Sequence, residues 1–254
     1  MGFFYFYTMK INQYLDSTYL KTAEIANVSE KENTKIVQSY IQEAIDDDFK
    51  LIMIRPEHVK MAHEIIDSSK SKLLVGTVID FPLGISTLEN KLLEAKQAIA
   101  NGADELDFVI NYEAFKNGET SLIKQEIIAC TSLGLNHKKT VKFIIEVAAL
   151  SSKQIIQICV LIKNTIIANF KEENFNHIFV KSSTGFYQTE NNLPNGATRE
   201  TIILMLENAS PLPIKAAGGV RNLAEAEAMI HLGVKRIGTS AAKTIVSGNL
   251  SKDY

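Results

Sequence analysis

Short apolar runs alternate with amphipathic stretches over most of the chain. The runs at 13–18 (QYLDST), 49–54 (FKLIMI), 73–79 (LLVGTVI) and 105–111 (ELDFVIN) predict strands, as do 141–147 (VKFIIEV), 177–183 (HIFVKSS), 213–219 (PIKAAGG) and 235–240 (KRIGTS). Several are near-continuous Val, Ile, Leu and Phe, the pattern of parallel strands covered on both faces. The intervening segments carry helix signals. Residues 86–102 open with Ser86 and Glu89 at capping-box spacing, place Leu88, Leu92, Ala95 and Ile99 on one face, and end at Gly102, where a left-handed residue belongs. The same helix–glycine–strand order recurs at Gly134 and Gly233, and residues 222–233 start at Asn222 as an N-cap.

Eight strands with helices between most of them, in a chain of 254 residues, predict a single-domain α/β protein of the (β/α)8 (TIM) barrel type. A doubly wound open sheet is the alternative, disfavoured because no GxGxxG follows the first strand. No linker or repeat divides the chain, so the barrel domain is expected over 10–254. Residues 1–9 are read as an N-terminal extension, disordered or packed on the surface, with initiation at Met9 as a further reading. The polar loop 187–196 falls after a strand, on the side where such barrels carry their active sites.

Composition narrows the function classes. The chain is 46% hydrophobic and 22% charged, which excludes a disordered or fibrous protein. With 27 Lys plus Arg against 29 Asp plus Glu, no surface built to grip nucleic acid is expected. No apolar stretch reaches the roughly 20 residues of a membrane span. Cys130 and Cys159 belong to no CxxC or Cys/His cluster, which suggests buried small hydrophobes in a reducing, cytoplasmic setting. The five histidines show no metal-binding spacing, and Ser182 and Ser183 lack a GxSxG context.

The chemistry rests on charged residues inside apolar strands. Lys181 follows HIFV, and Lys215 sits in PIKAAGG on the next strand. Neighbouring strands bring the two amines together if both face inward, and adjacent cations lower at least one pKa. A lysine so perturbed captures a carbonyl as a Schiff base. If the two take opposite pleat faces, they never meet. Asp107 shares a strand face with Glu105, and an inward carboxylate there must be paired or protonated. Asp16 and Glu146 raise the same question on the first and fifth strands. The segments AAGGVRN (216–222) and IGTSAAK (237–243) follow the last two strands and lead into helices, a placement suited to phosphate, with Arg221, Thr239 and Ser240 as further donors.

FVKSSTGF, IKAAGGVRN, RIGTSAA, ELDFVIN, KFIIEVAAL, GTVIDFPLG and LDSTYLK, in order from about residue 14 to about 246, resemble the signature segments of the deoxyribose-phosphate aldolase family. The resemblance implies a metal-free class I aldolase without a cofactor. Such an enzyme cleaves 2-deoxy-D-ribose 5-phosphate reversibly to acetaldehyde and D-glyceraldehyde 3-phosphate. By resemblance, Lys181 is the Schiff-base lysine, Lys215 the second lysine, Asp107 the acid/base and Asp16 a supporting polar group. Tyr254 is similar to a terminal tyrosine that reaches the active site. Gly185, Gly218, Gly219, Gly238, Thr239 and Ser240 fall where the family holds phosphate. Members are often dimers, which points to a homodimer. Another Schiff-base phosphosugar lyase or transaldolase, or a non-catalytic phosphosugar-binding barrel, is the alternative. The chain departs from the family pattern at Ser17 (often His), Tyr19 (often Leu), Met53 (frequently Cys) and in the longer 187–196 loop.

Overall fold

The computed structural model describes residues 10–248. The expectations for residues 1–9 and for Tyr254 lie outside these. Eight parallel strands run in chain order: β1 (Leu15–Tyr19), β2 (Leu51–Ile54), β3 (Leu74–Ile79), β4 (Glu105–Val109), β5 (Thr140–Ile144), β6 (Ile178–Lys181), β7 (Ile214–Ala217) and β8 (Arg236–Thr239). Each pairs with the next, and β8 pairs with β1, so the sheet closes into the expected barrel. Every predicted strand is present, each shorter than its apolar run.

The outward strand faces pack under the helices in one continuous core that includes Ile52, Val75, Phe108, Phe143, Val180 and Ile237. Each such Ile, Val or Phe contributes roughly 1.5–3 kcal/mol by leaving water. A second, small cluster holds Leu51 and Met53 of β2, Val78 of β3 and Leu20. Gly76 makes room for it, since a Cβ there would lie 2.6 Å from Met53 Cε. The apolar side chains of this cluster come from β2, β3 and the residue after β1. The buried charges carried by strands come from β1 and from β4 through β8.

Two local expectations need correction. The cap of the helix Leu88–Ala100 is Thr87, whose side chain accepts from Asn90 N–H. Ser86 is not available for capping, because its N–H and hydroxyl both donate to the Asp80 carboxylate at 2.9 and 2.7 Å. Gly134 does not terminate a helix. It lies inside Thr120–Asn136, and the left-handed residue before β5 is Lys138. Gly102 and Gly233 do adopt positive φ, 103° and 117°, and Asn222 caps its helix by accepting from Glu225 N–H.

Gly134 is explained by packing, since a Cβ there would stand 2.2 Å from Val141 Cγ2, a fully buried β5 atom. Helix propensity favours alanine over glycine by about 1 kcal/mol, whereas overpacking a rigid core costs about 1–3 kcal/mol. Gly134→Ala should therefore lose net stability, with urea unfolding showing a lower midpoint at unchanged slope.

Candidate active site

In a parallel barrel, alternate residues of each strand face the axis. The register sets Lys181 beside Lys215, Asp107 beside Lys142, and Asp16 beside Gly238. Six consecutive strands in the closed ring, β4 through β8 and then β1, thus send charged side chains into one buried cluster. Both lysines expected from the sequence face inward, and so do Asp107 and Asp16.

Asp107 is the hub. Its Oδ2 accepts from Lys181 Nζ at 2.8 Å and from Lys215 Nζ at 2.9 Å, while Oδ1 accepts from Lys142 Nζ at 2.6 Å. Lys215 is also 2.5 Å from Asp16 Oδ2, and Lys142 is 2.5 Å from Glu105 Oε2. Below them Arg236 donates Nη1 to Glu105 Oε1 at 2.9 Å, and both its Nε and Nη2 to Asp16 Oδ1. The sequence reasoning passed over Lys142 and Arg236. Lys142, between Val141 and Phe143, carries the signal of Lys215, whereas Arg236 follows Lys235 and reads as part of a charged strand end.

The electrostatics follow from a count of charges. Four cationic side chains, Lys142, Lys181, Lys215 and Arg236, meet three carboxylates, Asp16, Glu105 and Asp107. A buried cluster with one excess cation is relieved by losing a proton. Lys181 is pushed in that direction. Burial lowers its pKa to about 8, Asp107 opposes the shift, and Lys215 and Lys142 add to it. Lys142 is also pushed down by burial, yet Asp107, Glu105 and Asp16 outweigh that and raise it. Burial would raise Asp107, but the three lysines hold it well below the usual carboxylate range. Lys181 thus has one carboxylate contact where Lys142 has two.

Above Lys181 opens a cavity of about 620 Å³. Its lining includes Thr184, Gly185, Gly218, Gly219, Gly238, Thr239 and Ser240, so all the residues proposed for phosphate border the same space as the amine. Gly218 and Gly219 adopt φ of 78° and 86°, a left-handed pair that a Cβ would strain. Gly218 also meets Gly196 of the β6 loop so closely that a Cβ on Gly196 would lie 2.5 Å from its Cα. The Thr239 hydroxyl donates to Val220 O at 2.7 Å and ties together the segments after β7 and β8. Glu146 lies apart from the cluster, in the turn after β5, with φ of 54°.

Both cysteines are buried, with their thiols pushed up by burial, Cys159 to about 12. No helix among the described residues is long and apolar enough to cross a membrane, and no group of three or more His, Cys, Asp or Glu is arranged to hold a metal ion.

A near-neutral lysine inside a barrel, hydrogen-bonded to a carboxylate and open to a glycine-edged cavity, defines the class of Schiff-base aldolases. Residues 22–250 match the DeoC/LacD family aldolase profile. The chain is 39% identical over 248 residues to deoxyribose-phosphate aldolase 1 of Staphylococcus aureus strain MSSA476, covering 97% of this chain and all of that protein. It is 39% identical over 246 residues to the deoxyribose-phosphate aldolase of Lactococcus lactis subsp. lactis strain IL1403, covering 96% and 99%. Among solved structures, the aldolase QR15 superposes with a TM-score of 0.74 at 30% identity, over 94% of this chain and 95% of that one. The deoxyribose phosphate aldolase of Aeropyrum pernix, described as tetrameric, superposes at 0.75 with 25% identity, over 93% and 89%. The chain belongs to the DeoC/LacD aldolase family.

Removing Lys142 would take away the cation at Asp107 Oδ1 and leave Glu105 with Arg236 alone, all fully or nearly fully buried. Breaking one partner of a buried ion pair costs about 3–5 kcal/mol. Lys142→Met should lose stability on that scale in chemical denaturation. It should also raise the Lys181 pKa, read from the pH dependence of imine trapping, because a like charge is gone.

Proposed function

We propose that residues 10–254 form one catalytic domain that cleaves 2-deoxy-D-ribose 5-phosphate reversibly to acetaldehyde and D-glyceraldehyde 3-phosphate, through an imine on Lys181 and without a metal. The observation that carries this reading is the sharing of Asp107 Oδ2 by Lys181 and Lys215, with the Lys181 pKa lowered to about 8.

The neutral Lys181 amine attacks C1 of the open-chain sugar, and a proton delivered through Lys215 lets the hydroxyl leave as water, giving a protonated imine. A base takes the proton from the C3 hydroxyl. The C2–C3 bond then breaks, and its electron pair flows through C2 into the iminium as an enamine. Protonation at C2 and hydrolysis release acetaldehyde and regenerate the amine. Lys215 lies between Asp16 and Asp107 and suits the proton traffic. Asp107, kept ionised by its three lysines, serves as the anchor through which that proton is relayed. General acid–base assistance of this kind is worth about 10²–10⁴-fold. The glycines after β6 and β7, with Gly238 and Thr239 at the end of β8 and Ser240 beyond it, receive the phosphate, whose binding energy positions the sugar. Tyr254 follows the family pattern as a proton donor at the enamine carbon, and a homodimer is the assembly proposed.

Borohydride with acetaldehyde should leave a two-carbon adduct on Lys181 by peptide mapping, and none in Lys181→Ala. The trapping rate should climb as pH rises through about 8, as the neutral amine accumulates. An adduct on another lysine, or none, overturns the reading.

Lys215→Leu removes the like charge nearest Lys181. Its pH optimum should move upward and its cleavage rate fall by about 10²-fold or more, the share assigned to acid–base help. An unchanged pH–rate profile would remove Lys215 from the mechanism.

A further inference from the structure

The hydrogen bonds around Ser183 are short of one proton. Its Oγ lies 2.6 Å from Glu146 Oε1 and 2.6 Å from the carbonyl oxygen of Asn195, and it accepts from Gly185 N–H at 2.9 Å. A serine hydroxyl carries a single hydrogen. If Glu146 were ionised, one of the two 2.6 Å contacts would join two bare acceptors in a buried site. A proton on Glu146 Oε1 resolves this, because Glu146 then donates to Ser183, and Ser183 donates to Asn195. The other carboxyl oxygen, Oε2, is already an acceptor for the Thr184 N–H at 3.2 Å and for the Thr184 hydroxyl.

We propose that Glu146 is a positioning residue kept as a neutral carboxylic acid, whose proton clasps the loop 183–197 over the Schiff-base lysine. The chain of contacts runs from Glu146 in the turn after β5, through Ser183, to Asn195. It continues through Gly196, packed on Gly218, and Ala197, whose N–H bonds to Ala217 O and Gly218 O. One proton thereby links the ends of β5, β6 and β7 around the cavity mouth.

The surroundings agree. Glu146 is 1% exposed, and burial raises its pKa, outweighing the contacts with Ser183 and Thr184 and the charge of Lys181. The titratable groups facing it are Lys181 of β6 and Tyr112 of the helix after β4. The phenol of Tyr112 is raised by burial and by the proximity of Glu146. A charged Glu146 would set a second carboxylate against Lys181 and favour its ammonium form. A neutral one preserves the cation excess. The inference rests on Lys181 being the reactive amine.

Glutamine reproduces the neutral acid, with Nε2 as donor to Ser183 and Oε1 as acceptor from Thr184. The test is infrared difference spectroscopy on the full chain at neutral pH, unaltered chain against Glu146→Gln. A protonated-acid C=O band in the unaltered chain, lost in the variant, is expected. Carboxylate stretching bands in its place overturn the proposal, and this readout needs no turnover, so it stands whatever the cleavage assay gives. In kinetics with 2-deoxyribose 5-phosphate, Glu146→Ala leaves buried donors unpaired and should raise KM by about tenfold, and Glu146→Gln should restore it. On the alkaline side KM of the unaltered chain should climb as the proton leaves, and this climb should be absent in Glu146→Gln. A glutamine variant whose KM follows the alanine variant overturns the assignment.

Discussion

One carboxylate oxygen, Asp107 Oδ2, receives two ammonium groups at 2.8 and 2.9 Å, and the functional reading depends on that arrangement. Outside a closed barrel it would be hard to build. Lys181, Lys215 and Asp107 come from three strands, and their side chains converge only because the ring turns one face of every strand toward a common axis. The interior excludes water, so opposite charges must match closely or shed a proton. The protein matches them almost completely. Asp16 and Glu105 are each shared between a lysine and Arg236, and Lys142 spans Glu105 and Asp107. Lys181, at the mouth, is left with a share of one oxygen. Reactivity at this lysine is thus the residue of charge pairing completed elsewhere in the cluster.

The ordering of the cluster along the barrel axis follows from the same arithmetic. Arg236, whose guanidinium does not deprotonate at accessible pH, satisfies two carboxylates at once and holds both ionised. Asp16 and Glu105 accordingly stay below the usual carboxylate range despite the burial that pushes them up. Lys142, between two carboxylates, is a fixed cation. Lys181, which borders the cavity, shares a single carboxylate oxygen, and burial with its cationic neighbours lowers its pKa. A lysine placed deeper, with two carboxylate neighbours, would be a poor nucleophile in the same barrel.

Much of this was legible in the sequence because parallel strands buried on both faces are written in runs of Val, Ile and Leu, against which a charge stands out. Asp107 in ELDFV, Lys181 after HIFV and Lys215 in PIKAA were found that way. Lys142 in VKFII carries the same mark, and Arg236 in KRIGT shows it only on its C-terminal side, since Lys235 precedes it. They were missed because one charged residue at the start of a run is also the common pattern of a strand end, and only register separates the two. Capping was misread for a related reason. Ser86 and Thr87 are both competent caps, and the choice was made by Asp80, a residue beyond the helix that engages Ser86. Gly134 likewise reads as a helix terminator, until the Val141 methyl that needs its missing Cβ is in view. Local patterns name the elements, whereas contacts between elements decide which of two equivalent local choices is used.

Glycine at the cavity rim shows how one residue type answers two demands. Gly218 and Gly219 have positive φ and shape a backbone turn toward the cavity, so their case for a bound anion is conformational. Gly238 is different. Its φ is not in the left-handed region, but a Cβ there would stand 3.0 Å from Lys215 Cε and 3.3 Å from Ala217 Cβ. Its first service is therefore to the lysine stem, which needs that space to reach both Asp16 and Asp107. A side chain at 238 would displace the amine before it touched any ligand. The four glycines that resemble a phosphate site in sequence thus divide by physical cause, with Gly185, Gly218 and Gly219 shaping the cavity wall at positive φ and Gly238 clearing the path of a charge in the barrel interior.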